Sequence, residues 1–394
     1  MFGHIGYAVT SLLKPIQVAC ISMSNSGSRL NTPHANTLPS RTILTVHSRG
    51  HLNHRHVSAS PNGCPLILRW AAYMKSLTAC LFCFALVPAH GASNVLPVID
   101  AHSQFDENAP VAQVIEYAAR AGVTQVLLSA RGRVTTAQVL DLGSTHPVCV
   151  VPSVRTKGRA FDENRPGYYT LLDEQFKEPA FRAMSEIILV HAPKGKRAPE
   201  VNVAADTPQV KEAIRRAIAK GWPVVLHYEF RWLTSAYGTS VRAKRLAELK
   251  SLVSQYPQHR FALIHMAQLD ASDAADLLAA HPNLVFLTSH ANTLAVNESR
   301  QPWTNMFADG ELAPEWKALV LRHPDRFVLA FDNVWPEHWS EKYVQQVDLW
   351  REALGKLPAE VAHAVAHSNA ERLWKLAPAM AGQGCGALKS PLRQ

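Results

Sequence analysis

The feature that most limits this chain is a rhythm. From residue 96 onward, short apolar runs alternate with amphipathic stretches, and they do so eight times. The runs fall at 97–102, 125–129, 148–154, 186–191, 223–228, 261–265, 284–289 and 327–332. Most are hydrophobic almost without interruption, as strands of a parallel sheet covered on both faces must be. Between them, 111–120, 208–220, 241–256, 271–280 and 314–322 carry helical spacing, and several close on Gly122, Gly221, Pro257 or Pro282. Eight strand–helix units predict an α/β fold, a single (β/α)8 TIM barrel over 94–376. The rival is an open doubly wound sheet, which needs a Gly-rich turn after its first strand. Asp100-Ala101-His102-Ser103-Gln104 contains no glycine.

Charge decides which partners to expect. The 394 residues include 40 basic and 31 acidic ones, a net +9 that on its face suggests nucleic acid or a membrane surface. The excess is not on the barrel. Seven basic residues and no acid precede residue 94, the first acid is Asp100, and the tail adds only Lys389 and Arg393. The segment between is neutral by count, so no nucleic-acid partner is expected.

The first 93 residues do not read as a domain. Residues 1–73 are rich in Ser, Asn, His, Thr and Pro without a sustained period, a composition that cannot bury enough apolar surface to offset chain entropy. They are expected to be a disordered or untranslated leader. Residues 74–93 have a basic start at Lys75, an apolar core and small residues at Ala89, Gly91, Ala92 and Ser93, the layout of a signal peptide. Met74 is then the expected start, and the protein is exported, periplasmic or secreted, without a membrane anchor. Cys149 and Cys385 are the cysteines beyond residue 93, and their wide spacing indicates neither a disulfide framework nor a zinc ribbon. Residues 377–394 are expected as a flexible tail.

In a barrel of this kind, catalytic groups stand at the carboxyl ends of strands. His102, His227, His265 and Asp332 end the predicted strands 1, 5, 6 and 8, while Glu186 opens strand 4 and His290 closes strand 7. Any one such histidine is more often a rim or core residue than a ligand. Several in one register make an imidazole–carboxylate site suited to a divalent metal. Arg131, Arg155 and Lys194 follow strands 2, 3 and 4, where they could grip a substrate carboxylate or serve only as solvated loop residues. Glu229 faces the same side of its strand as His227. Tyr168, Tyr169, Trp232, Trp303, Trp335 and Trp339 fall in predicted loops at the mouth, and the long segments 231–240 and 292–310 are expected lids or pocket walls.

Val98-Ile99-Asp100-Ala101-His102, Val224-Val225-Leu226-His227, Ala262-Leu263-Ile264-His265, Leu329-Ala330-Phe331-Asp332 and Asn369-Ala370-Glu371-Arg372-Leu373 resemble the amidohydrolase superfamily. The nearest branch is the amidohydrolase-related group, with TatD-like hydrolases more distant. The resemblance implies one divalent metal ion, zinc or manganese or another, held by His102, His227 and Asp332. It places His265 beside them, as a substrate orienter or a ligand to a second metal. Ser185-Glu186-Ile187-Ile188 is similar to the TatD-like segment whose Glu is a ligand, which adds Glu186. The chain departs from the pattern at Gln104, where the second His of His-x-His belongs. Its neutral carbonyl oxygen can still coordinate, but less strongly than imidazole.

Three readings follow. A metal-dependent hydrolase would act on a small lactone, ester or amide, with metal-activated water, Asp332 as general base and His265 hydrogen-bonding the carbonyl oxygen. A metal-independent lactonase of the superfamily would work without a cofactor, Asp332 alone being the base, and a decarboxylase of the same branch would need overlapping residues. A protein that has lost hydrolysis would only bind. A small-molecule substrate and, by analogy with the family, a homo-oligomer are the expected partners.

Overall fold

In the computed structural model, residues 95–196 and 198–385 are described. The segments expected as a leader, 1–73, and as a signal peptide, 74–93, lie outside the described residues. Eight parallel strands close into a barrel: β1 (Val98–Phe105), β2 (Val123–Ala130), β3 (Val150–Val154), β4, split into Ala183–Met184 and Ile187–Ile188, β5 (Val224–His227), β6 (Phe261–Leu263), β7 (Leu284–Leu287) and β8 (Phe327–Val328). Closure comes from backbone bonds between the first and last strands and the residues beyond β8. Ala101 N donates to Leu329 O (3.1 Å), Asp332 N to His102 O (2.7 Å) and Gln104 N to Asn333 O (2.8 Å).

A helix follows each strand: α1 (Val111–Arg120), α2 (Thr136–Thr145), α3 (Pro166–Lys177), α4 (Pro208–Lys220), α5 (Thr239–Gln255), α6 (Ala271–Ala280), α7 (Pro314–Arg322) and α8 (Glu341–Gly355). Their ends have local causes. Thr135 and Gln138 form a capping box on α2, and Asp270 accepts from Asp273 N to start α6. Proline opens α4, and Gly221, at φ +67°, ends it in the left-handed conformation.

Alternation along the strands makes two cores. Ile99, Ala101, Leu127, Val151, Ala183, Val225, Ala262, Val285, Leu287, Val328 and Ala330 fill the barrel, and Leu373 and Trp374 join them from the helix Asn369–Trp374. The intervening residues, such as Val98, Leu128, Val224, Leu226 and Phe327, pack outward on the helices. In β1 the pairing with β2 is irregular between Asp100 and Ser103. The bulge shifts the phase, so His102 and Gln104 face the mouth while Asp100 and Ser103 face outward. Among the described residues, no helix is long and apolar enough to cross a membrane.

Three expectations need correction. Cys149, at the base of β3, is disulfide-bonded to Cys385. Residues 377–385 are docked rather than a free tail: Gln125 Nε2 donates to Ala377 O, Ala379 N donates to Glu371 Oε1, and Gly384, at φ +71°, lies so close to Thr124 O that no side chain fits. The expected lid at 231–240 is largely the helix Phe230–Tyr237, anchored by buried Phe230 and Leu233.

Candidate active site

A cavity of about 660 Å³ opens at the carboxyl ends of the strands. Gln104, Glu186, His227, His265, Asp332, Arg131, Arg155 and Lys194 line it, and His102 touches Glu186 at its floor. The pleat explains several of these placements. Arg131 continues the inward positions Leu127 and Ser129, and Arg155 and Lys157 continue Val151 and Ser153. His265, His290 and Asp332 reach inward differently, with φ of +56°, +56° and +55°. Left-handed backbone in non-glycine residues is strained, and three such residues meet at one point here.

At that point His102 Nε2 lies 2.5 Å from Glu186 Oε2 and 3.4 Å from Asp332 Oδ1. The other oxygen, Asp332 Oδ2, is 3.5 Å from His265 Nε2 and 3.6 Å from His290 Nε2. Gln104 Nε2 donates to Asp332 Oδ1 at 2.6 Å. Lys157 Nζ pairs with Glu186 Oε1. Sequence reasoning expected His227 beside His102, but its Nε2 turns to Glu229 Oε1 at 2.9 Å. Buried Glu229 also pairs with Lys194 and accepts from Ala192 N, and Lys194 Nζ lies 3.0 Å from His191 Nε2.

Burial and charge set the protonation states. Burial works against the imidazolium of His102, but Glu186 and Asp332 outweigh it and push its pKa up to about 9. Burial likewise opposes charge on Glu186 and Asp332. Lys157 and His102 override it at Glu186, and His102 and His290 override it at Asp332, so both carboxyls sit well below the usual range. Burial, then His227 and His290, hold His265 well below its ordinary value, so it is neutral. Burial and Lys194 take His191 down to about 3, and burial and His290 take His338 down to about 4.

These states bear on a metal. Among the described residues, three donor sets lie close enough to hold one: His102, Glu186 and Asp332; His265, His290 and Asp332; His191, His227 and Glu229. In the first, His102 Nε2 and Glu186 Oε2 are buried and face each other without an aligned hydrogen bond, and Gln104 Oε1 also lacks a partner. In the second, His265 Nδ1 lies 3.3 Å from Ser289 O, an atom that only accepts. The neutral ring therefore carries its proton on Nδ1 and turns a lone pair toward Asp332. Both sets fit a divalent cation. The third already holds the Lys194 ammonium.

With its proton on Nδ1, His265 turns an acceptor nitrogen to the site, the arrangement of a ligand, one of the two roles that the resemblance implies; a donor to a carbonyl would need the other tautomer. Gln104 turns its nitrogen to Asp332, so it braces that carboxylate. Arg131 stacks on Trp335, with Cζ 4.1 Å from the ring centre, and Lys194 lies 4.8 Å over Trp303. Arg155 donates to Lys157 O and Gly132 O. Of the loop aromatics, Trp303 and Trp335 line the cavity, whereas Tyr168 and Trp339 are buried packing residues. Lys157, His191 and His338 were not foreseen. For Lys157 the signal was present, two residues beyond Arg155 on the same face.

A family model described as "Amidohydrolase" matches residues 154–376, more than half of the chain. No curated protein matches. Among solved structures, an uncharacterized TIM-barrel protein from Bordetella bronchiseptica is 14% identical, covering 71% of this chain and 99% of its own, with a TM-score of 0.46. A probable 2-pyrone-4,6-dicarboxylic acid hydrolase from Acinetobacter baumannii is 13% identical, with coverage of 71% and 99% and a TM-score of 0.45. A dihydroorotase from Saccharomyces cerevisiae is 13% identical, with coverage of 73% and 85% and a TM-score of 0.45. The family match, spanning the strand ends that carry Glu186, His227, His265 and Asp332, shows that the chain belongs to the amidohydrolase family and is an enzyme of hydrolase type.

Proposed function

We propose that the chain is a metal-dependent hydrolase of a small carbonyl substrate, a lactone, ester or amide. The observation that carries this reading is the unaligned 2.5 Å approach of His102 Nε2 to Glu186 Oε2 beside ionised Asp332. A divalent cation held by His102, Glu186 and Asp332, or by His265, His290 and Asp332, would supply Lewis acidity to the carbonyl and to an attacking water. The protein's own part is proton handling and orientation. Asp332, kept ionised and fixed by Gln104 at Oδ1, accepts the water's proton at Oδ2 and returns it to the leaving group. Arg131 and Arg155 stand where they can hold a substrate carboxylate, and Trp303 and Trp335 flank an organic ligand.

Export, expected from residues 74–93, is supported by the Cys149–Cys385 disulfide, since such bonds persist in oxidising compartments. A metal-independent reading is favoured by one observation: Lys157 and Lys194, both lining the cavity, each place an ammonium on a buried carboxylate, Glu186 and Glu229. Metal analysis of the purified protein decides. Stoichiometric metal, lost in His102→Ala and Glu186→Ala, supports the first reading. Absence of metal, with lactone turnover abolished by Asp332→Asn, favours the second.

A further inference from the structure

His338 stands in the loop after β8 with its tautomer fixed by the backbone. Val334 N donates to His338 Nδ1 at 3.0 Å. A backbone N–H can only donate, so Nδ1 bears a lone pair. The ring is therefore neutral, with its proton on Nε2. Because Nδ1 is taken by its own loop, Nε2 is the ring nitrogen left to serve the cavity that His338 lines. The ring meets His290 edge-on, with centroids 6.1 Å apart, and His290 Nε2 lies 3.6 Å from Asp332 Oδ2. The donor is thus one ring away from the proposed base.

The loop that carries it is braced. Gln113 Nε2, from α1, donates to Pro336 O at 3.0 Å and to Trp339 O at 2.6 Å. His338 N donates to Trp335 O, and buried Trp339 packs edge-on against Tyr343. A donor held this way needs no reorganisation when a ligand arrives.

We propose that His338 is a substrate-binding residue whose Nε2–H donates to an uncharged acceptor oxygen, a carbonyl, ring ester or hydroxyl, beside the reacting carbon. The inference rests on the hydrolase reading and deepens it. Arg131, Arg155, Lys157 and Lys194 offer charged donors to a carboxylate; a neutral imidazole matches a neutral oxygen and leaves no buried charge when the ligand departs. It also supplies the donor that His265, with its proton on Nδ1, does not.

Two substitutions separate this role from loop capping. His338→Asn keeps an acceptor for Val334 N and has nothing at the Nε2 position. His338→Gln keeps an N–H near that position and abandons Val334 N. The probe is 3,4-dihydro-2-quinolinone, the lactam analogue of dihydrocoumarin, titrated by calorimetry. Loss of one neutral hydrogen bond weakens binding about three- to tenfold in His338→Asn, while His338→Gln stays within about twofold of wild type. The opposite order marks a structural cap and overturns the proposal. So do equal affinities in all three proteins, no measurable binding to wild type, or a proton on Nδ1 in the imidazole 15N–1H spectrum. If the lactam series holds but dihydrocoumarin is not hydrolysed, the hydrolase reading fails and the donor role stands.

Discussion

Gln104 Nε2 donates to Asp332 Oδ1 at 2.6 Å, a side-chain bond that joins the first strand of the barrel to the residues beyond the last. The glutamine that departs from the His-x-His pattern therefore has a task of its own. It holds the carboxylate proposed as the base, whose backbone is left-handed and strained.

Gln104→Ala should lower kcat/KM on a hydrolysed lactone by about 10- to 100-fold, the size of one hydrogen bond to a charged group. Gln104→Glu sets a second carboxylate against Asp332 and should abolish turnover. Wild-type kcat/KM in Gln104→Ala would show that Asp332 needs no brace.

His102 gives a pH dependence with a definite sign. Its folded pKa is raised from 6.5 to about 9, so the folded state holds the proton more tightly than the unfolded chain. The resulting stability is complete below about pH 6.5 and is lost as pH rises through about 9. In chelator-treated protein, urea unfolding should show a loss of order 3 kcal/mol across that window. His102→Ala should remove the slope, and a flat wild-type profile would mean that His102 is neutral.

Lys157 answers Glu186 in a buried pair. Lys157→Met leaves that carboxylate short of a cation and should destabilise the chelated protein by about 3–5 kcal/mol. Added zinc should recover part of the loss, read as a larger rise in Tm for the variant than for wild type. Equal rises would place the metal away from Glu186.

The Cys149–Cys385 bond closes a loop with a sequence separation of 236. Reduction, or Cys385→Ser, should cost about 2–5 kcal/mol in urea unfolding. Turnover at 25 °C should be unchanged, because the bond lies at the end of the barrel away from the cavity. Loss of activity on reduction at a temperature where the fold persists would contradict that separation.

The barrel was legible because its signal is periodic. Apolar strands and amphipathic helices repeat, and α1, α4, α6 and α7 begin and end at the predicted residues. The strand-end chemistry was legible for the same reason, since position along a barrel strand fixes which end a residue occupies. What could not be read was pairing across the mouth. His227 was grouped with His102 because both end strands, yet only side-chain direction assigns it to Glu229. The phase shift at Asp100 to Ser103, the left-handed turns at His265 and His290 and the link from Cys149 to Cys385 have no local sequence signature. They are products of closure.

Trp374 and Leu373 sit inside the barrel among residues of its strands, and Leu329 N donates to Val365 O nearby. The floor of the structure is therefore made from the most C-terminal α-helix of the described residues. A nascent chain without that helix cannot complete the interior, so the earlier strands must wait, open and sticky, until it arrives. Such a molecule stays threadable for as long as it is being made, a delay that would serve the export proposed from residues 74–93.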